Sequence, residues 1–189
     1  MEQVRRFSET GGESCVVVLG KDHKDYFKKI SFLEKAGGQW SEIPGFEKPM
    51  KLAVVINENP ERGQFSSVVL ALQFLAKCKA TFNWTGVLVH PVDVPLADRN
   101  TLETVGAKLK GSVKAVLPVC QGIGGHPVLL SGGFVMNLLS LQIEDPESRL
   151  DVQLRLLHGT QIERVPVDDE RIFKNLNTPE EWEVFTKKN

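Results

Sequence analysis

The fold class follows from one short apolar run that ends in glycine, Cys15-Val-Val-Val-Leu-Gly20. Such a run is typical of a strand that is covered on both faces, as in a parallel sheet. The next segment, residues 22–35, carries apolar side chains at helical spacing and stops at Gly37-Gly38. Strand and helix together form one unit of an α/β fold.

The same alternation continues along the chain. Further strands are predicted at residues 52–56, 86–90, 114–119, 127–130 and 162–167, and further helices at 66–77, 99–109, 134–141 and 150–157. A last helix begins after Asn177, with Thr178 as its N-cap and Glu181 closing a capping box. The pattern predicts one domain over residues 1–189, with three α/β/α layers around a mostly parallel central sheet.

Composition excludes several classes of function. The 23 Lys and Arg residues balance 24 Asp and Glu residues, so no basic surface is expected to track a nucleic acid. Apolar runs are far shorter than the roughly 20 residues that cross a bilayer, and no secretory signal pattern is present. The cysteines, Cys15, Cys78 and Cys120, are too widely spaced for a disulfide framework or a CxxC metal site. We therefore expect a cytoplasmic protein that binds small molecules and contacts neither nucleic acid nor membrane.

Ligands of open α/β sheets bind beyond the carboxyl ends of the strands. In the loop Val87-Leu-Val-His-Pro-Val-Asp-Val-Pro95, Asp93 follows a strand and lies between two prolines. A fixed carboxylate is what hydrated Mg²⁺ uses, because this ion takes one or two protein oxygens and keeps water at its other positions. Turn hydrogen bonds, or capping of the next helix, explain the same residue equally well.

Two other loops offer polar groups at the start of a helix. Residues 57–67 open a helix at Ser66 or Ser67, where hydroxyls and backbone N–H groups could hold a base edge or a phosphate. Near the end of the chain, Asn175 and Asn177 could give neutral oxygens to a metal or its water shell. Plain helix capping is the alternative in both loops, and the more common one for serine.

The segment Gln121-Gly-Ile-Gly-Gly-His-Pro127 is not a dinucleotide-binding loop, because proline stands where that motif needs a helix. His126 could contact a substrate or make a structural hydrogen bond. The other histidines, His23, His90 and His158, lack the spacing of a zinc site, and we interpret them as structural. Motifs of P-loop ATPases and of serine hydrolases do not occur in the sequence.

Together these segments resemble the MobA-like nucleotidyltransferases, the family of the molybdenum-cofactor cytidylyl- and guanylyltransferases. The matching elements are Val-Val-Leu-Gly20, Asn59-Pro60 with Gly63 and Ser66-Ser67, Val92-Asp93-Val-Pro95-Leu96, Gly125-His126-Pro127-Val128 and Asn175-Leu-Asn-Thr-Pro-Glu-Glu181. They extend over nearly the whole chain after Thr10. The resemblance implies the three-layer fold of the nucleotide-diphospho-sugar transferases.

The resemblance also implies an activity and the residues that perform it. In such an enzyme the phosphate of an acceptor such as molybdopterin attacks the α-phosphorus of CTP or GTP, and pyrophosphate leaves with Mg²⁺ present. The implied metal site is Asp93 with Asn175 or Asn177 near its second position; Ser66 and Ser67 would face the base, and Gly125 and His126 would line the acceptor pocket.

One family element has no counterpart in these residues, the first strand with its glycine-rich L-A-A/G-G-x-S-x-R-M-G loop. Residues 1–10 resemble the end of the family's first helix, so we expect a domain whose first strand-loop-helix unit is missing or divergent. A sheet without that strand has an exposed edge, which favours a homodimer. Two alternatives therefore stay open, a nucleotide- or cofactor-binding scaffold without turnover and a sugar-phosphate nucleotidyltransferase.

Overall fold

The computed structural model describes residues 2–43, 50–78 and 84–188, and it confirms the α/β class. The elements in chain order are α1 (Glu2–Glu9), β1 (Ser14–Leu19), α2 (His23–Lys29), α3 (Ser31–Lys35), β2 (Ser41–Ile43), β3 (Met50–Ile56), α4 (Gln64–Lys77), β4 (Gly86–Val89), α5 (Arg99–Ala107), β5 (Ala115–Cys120), β6 (Ile123–Gly124), β7 (Val128–Ser131), α6 (Gly132–Leu139), α7 (Leu150–Arg155), β8 (Ile162–Pro166) and α8 (Pro179–Lys188). Short 3₁₀ turns lie at Pro60–Arg62, Gly159–Gln161 and Glu170–Phe173.

The first sheet has the strand order β1-β3-β2. β1 and β3 are parallel, with Ser14 opposite Lys51, whereas β2 is antiparallel to β3. The single helix predicted over residues 22–35 is two helices, because the backbone turns at Ile30 (φ −135°, ψ 82°). Phe27, Ile30 and Leu33 all belong to the apolar cluster of this sheet, so the turn allows both helices to cover it.

The second sheet has the order β4-β7-β5-β6, and β8 pairs with β5. Only β5 and β8 are parallel in this sheet, so within the described residues parallel pairing is less frequent than the sequence predicted. The cause is a two-residue hairpin at Gln121 and Gly122, with φ of 52° and 80°, which reverses the chain after β5. Only three residues separate β7 from β6, and β7 runs antiparallel to β5.

Helices cover both faces of the second sheet, which confirms the predicted layers. Ala115, Val128 and Leu130 pack against α4 and α6 on one face, while Val116 and Leu129 belong to a cluster with Val105 of α5 on the other. Helix α4 also contacts β1 and β3. It therefore holds the two sheets together on one side.

Helix α1 connects the two sheets through its side chains. Phe7 packs against the cluster of the first sheet and also against the cluster that contains Leu96 and Leu102. The Gln3 side-chain amide donates to the Val94 carbonyl and accepts from the Leu96 N–H (2.7 Å). The loop after β4 is thus tied to an element that covers β1.

Candidate functional site

Asp93 lies in the loop after β4 and is half-buried. Its carboxylate makes no hydrogen bond or ion pair with any residue in the described part of the chain. Helix α5 is capped by Asp98 instead, whose Oδ1 accepts from the Thr101 N–H (2.7 Å). Helix capping and turn hydrogen bonding therefore do not explain Asp93, and its two carboxylate oxygens are available to a ligand.

The backbone around Asp93 is held on both sides. The Val94 carbonyl accepts hydrogen bonds from His90 Nε2 (2.8 Å) and from the Gln3 side chain. The Asp93 carbonyl accepts from the Leu176 N–H (2.7 Å). The loop presents its free carboxylate from a restrained backbone.

The Leu176 hydrogen bond brings the segment around Asn175 and Asn177 beside the Asp93 loop, where the family resemblance implied a second position of the metal site. Both asparagines are exposed, and their side-chain amides make no hydrogen bond within residues 2–43, 50–78 and 84–188. The Asn177 N–H and the Thr178 N–H both donate to Glu181 Oε2 (2.7 and 3.0 Å), and Thr178 Oγ1 accepts from the Glu181 N–H (3.2 Å). The predicted capping box is confirmed, and it anchors this segment to α8.

His126 and Gly125 lie beside the same loop, in the turn between β6 and β7. Gly125 is buried, and a Cβ placed on it would lie 2.4 Å from the Ile172 carbonyl oxygen. The His126 N–H donates to that oxygen (2.7 Å). A structural hydrogen bond, the alternative that the sequence offered for His126, is therefore present at its backbone.

His90 and His126 form a neutral pair. Their ring centroids lie 6.4 Å apart in an edge-to-face arrangement. Burial lowers the pKa of both rings, that of His90 to about 4, although nearby Asp93 raises it in part. The His90 ring uses Nε2 as a donor, and Nδ1 of each ring is buried without a hydrogen-bond partner among the described residues. His90, which the sequence led us to interpret as structural, makes a structural hydrogen bond and belongs to this group.

Asn57, directly after β3, organises the other loop. It is 2% exposed, and its Nδ2 donates to Ser66 Oγ (2.8 Å) and Ser67 Oγ (2.9 Å). Ser66 is itself buried and donates to the Gly63 carbonyl (2.7 Å), whereas Ser67 is half-buried. The N-cap of α4 is Gly63, so neither serine caps the helix. The sequence analysis missed the role of Asn57, although a polar residue directly after a strand was the available signal.

The oxygen donors at the Asp93 loop fit a hard cation. Nowhere in the described ranges do three His, Cys, Asp or Glu side chains form a ready metal cluster of the kind zinc needs. One carboxylate with exposed amide oxygens nearby suits Mg²⁺, which keeps most of its water ligands.

Two further structural findings concern the rest of the molecule. A cavity of about 410 Å³ is lined by residues of the β5 and α6 regions, among them Lys114, Ser131 and Asn137, and includes none of the predicted site residues. No helix among the described residues is long and apolar enough to cross a bilayer.

Comparison with known proteins identifies a family whose model matches most of the chain. The family model of the MobA-like NTP transferase domain matches residues 1–157. No curated protein has significant sequence similarity to the chain.

Three solved structures from mycobacteria have a similar fold. A homologue of Mycobacterium tuberculosis Rv0371c from Mycobacterium sp. strain JC1 is 15% identical with a TM-score of 0.63, over 100% of this chain and 82% of that one. Rv0371c from M. tuberculosis H37Rv is 14% identical (TM-score 0.62; 98% and 82% covered), and so is its complex with manganese (TM-score 0.63; 98% and 84% covered). Similarity at this level of identity shows a shared fold.

Proposed function

The chain belongs to the MobA-like NTP transferase family, and on that basis we propose that it transfers CMP or GMP from the nucleoside triphosphate to a phosphorylated acceptor such as molybdopterin. The observation that carries this proposal is the free carboxylate of Asp93 on a restrained loop after β4. A carboxylate that neither caps a helix nor pairs with a described residue, and that lies beside exposed amide oxygens, suits a hydrated divalent cation.

The metal in this proposal is Mg²⁺, held by Asp93 with Asn175 or Asn177 close to its second position. When bound, the ion neutralises charge on the phosphates as the transition state forms. The manganese complex of Rv0371c concerns a protein of the same fold and supports a divalent cation in this family of structures. The oxygen chemistry of the three residues supports magnesium.

The nucleotide in this proposal lies against the start of α4. Because Ser66 is buried and its hydroxyl donates to the Gly63 carbonyl, Ser67 is the better placed of the two to contact the base. Asn57 directs its N–H groups toward both hydroxyls, which leaves the Ser67 proton for an acceptor atom of the base. Ser66 then acts by holding the helix start in place.

The acceptor enters beside the turn at Gly125 and His126. An acceptor phosphate oxygen attacks the α-phosphorus, the bond from the α-phosphorus to the bridging oxygen breaks, and pyrophosphate leaves with the electron pair. Catalysis of this reaction depends on positioning and on charge neutralisation. The turn contributes shape, because its backbone is held by the hydrogen bond from the His126 N–H to the Ile172 carbonyl.

Two further expectations stay proposals, a cytoplasmic location and a homodimer. β1 and β4 are each the end strand of the sheets formed by the described residues, and both are apolar. Pairing of such edges between two copies is the proposed contact. Light scattering on the purified chain measures the oligomeric state directly.

The proposal is tested by incubating the full chain with Mg²⁺, CTP or GTP, and molybdopterin while measuring pyrophosphate release. Asp93→Asn should lower the rate by at least about 100-fold, since the metal supplies several kcal/mol of transition-state stabilisation. Asp168→Asn, at an exposed aspartate, is the matched control and should keep the rate.

The outcomes separate the candidate functions. Nucleotide binding that depends on Mg²⁺ and Asp93 but gives no pyrophosphate would support the scaffold without turnover. Turnover with a sugar phosphate, but none with molybdopterin, would support the sugar-phosphate enzyme. If neither binding nor turnover depends on Asp93, the assignment of the metal site is wrong.

A further inference from the structure

The Asp93 loop has few backbone hydrogen bonds of its own. Pro91 and Pro95 lack an N–H, and the turn bond from the Val94 N–H to the Pro91 carbonyl is long, at 3.4 Å. The geometry of this loop therefore depends on donors from outside it or on side chains that reach across it.

One such bond comes from the ring of His90, the residue directly before Pro91. Its Nε2 donates to the Val94 carbonyl (2.8 Å), so the imidazole spans the loop and closes it at the residue directly after Asp93. The ring is largely buried and neutral, and its Nδ1 has no partner in the described structure. The Nε2–H tautomer is thereby selected, because a neutral imidazole carries one N–H and the carbonyl requires it.

The neighbouring histidine packs against the His90 ring. The His126 and His90 rings meet edge-to-face, with their centroids 6.4 Å apart. The hydrogen bond of the His90 ring thus restrains the backbone from His90 to Val94. Asp93 is the acidic side chain within this restrained segment.

We propose that His90 is a positioning residue for Asp93, holding the loop so that the carboxylate faces the metal and nucleotide. This role rests on the proposed function, because it assumes that Asp93 binds the metal. The hydrogen bond that restrains the loop is present in the protein without any ligand. His90 touches neither metal nor substrate in this proposal. Its side chain acts through the Val94 carbonyl and the peptide that joins Asp93 to Val94.

The test compares two substitutions that separate the donor from the ring. His90→Gln keeps an N–H donor at a similar distance from the backbone, and His90→Phe keeps a ring beside His126 but has no donor. His158→Phe, at an exposed histidine, is the control. Should His90→Phe not fold, His90→Asn replaces it, because an asparagine amide is too short to reach the Val94 carbonyl.

The first readout uses the free protein. Hydrogen–deuterium exchange at the amides of Val92, Asp93, Val94 and Leu96 should become at least 10-fold faster in His90→Phe, with His90→Gln and His158→Phe close to wild type. Equal protection in all variants would overturn the proposal, as would equal loss in His90→Phe and His90→Gln, since His90 would then act by packing alone.

The second readout is Mn²⁺-dependent affinity for CTP and GTP, measured by titration calorimetry. Residues that orient a metal ligand typically change metal affinity by about 10- to 100-fold when replaced. We expect such a loss in His90→Phe and less than a threefold change in His90→Gln. An unchanged affinity in His90→Phe would overturn the role of His90 in binding.

Asp93→Asn distinguishes the two proposals. If it leaves the Mn²⁺ dependence intact, the proposed function fails, whereas the exchange experiment still decides whether His90 positions the loop. If it abolishes the dependence while His90→Phe does not, the metal site stands and the positioning role is wrong.

Discussion

Gly125→Ala tests whether this glycine is required by packing. The added Cβ would lie 2.4 Å from the Ile172 carbonyl oxygen and 2.6 Å from its carbonyl carbon, against an ordinary contact of 3.4 Å or more. Backbone must therefore move by about 1 Å. Ile172 is fully buried, and its carbonyl accepts the 2.7 Å hydrogen bond from His126. Overpacking costs about 1–3 kcal/mol and the lost bond about 1 kcal/mol, so we expect the free energy of unfolding to fall by about 2–4 kcal/mol.

Urea unfolding at neutral pH measures this change. Gly106→Ala is the matched control, because Gly106 lies in α5 and nothing lies within 4 Å of its added Cβ. That variant should be more stable than wild type by about 0.5–1 kcal/mol, the usual difference between glycine and alanine in a helix. A Gly125→Ala protein within about 0.5 kcal/mol of wild type would refute the packing argument.

Three further predictions concern other parts of the fold. Asn57→Ala should lower the free energy of unfolding by about 2 kcal/mol, because a fully buried amide with three hydrogen bonds is lost. Asn59→Ala, at an exposed asparagine, should leave the free energy of unfolding unchanged. Urea unfolding measures both variants. Burial acts to raise the pKa of Asp169, but hydrogen bonds from Arg171 and from backbone N–H groups outweigh burial and hold this pKa below its ordinary value. The carboxylate therefore stabilises the fold fully above about pH 4, and this stabilisation is lost as the pH falls through the lower pKa of the folded state. Asp169→Asn should therefore flatten the acid limb of stability against pH. Burial raises the pKa of the Cys15 thiol to about 11. At pH 8 we therefore expect Cys15 to react with a disulfide reagent more slowly than Cys78 in the folded protein, and both thiols to react at similar rates in the unfolded protein.

Much of the fold was predictable because its signals are local. The strand at Ser14–Leu19 and the helix at Gln64–Lys77 follow from apolar runs and helical spacing in single segments. The capping box of Thr178 and Glu181 was predictable for the same reason, since both partners lie within four residues. Strand direction was less predictable, because β7 is antiparallel on account of the Gln121–Gly122 hairpin, whose effect on the sheet appears only once the strands pair.

Local sequence patterns indicated which residue types form the candidate site, but they did not indicate the hydrogen bonds between its residues. Only the family resemblance implied that the asparagine segment lies near the acidic loop. The bond from the Leu176 N–H to the Asp93 carbonyl joins residues more than 80 positions apart, and no local pattern signals such a contact. The partner of the His90 ring, the Val94 carbonyl, was not predicted for a different reason. One histidine after a strand has the same local pattern whether its ring is solvated or spans a loop.

A comparison of Asp93 with Asp169 shows why the free carboxylate of Asp93 indicates function. Asp169 is 4% exposed, and it accepts from Arg171 Nε (2.6 Å) and the Asp98 N–H (2.9 Å), so its charge is compensated by the fold. Asp93 has no such partner among the described residues, and folding gains little from it. Asp93→Asn should consequently change the free energy of unfolding by less than about 0.5 kcal/mol, against about 2 kcal/mol or more for Asp169→Asn. A large loss of stability in Asp93→Asn would show that the carboxylate serves the fold, and it would remove the physical reason for placing a cation there.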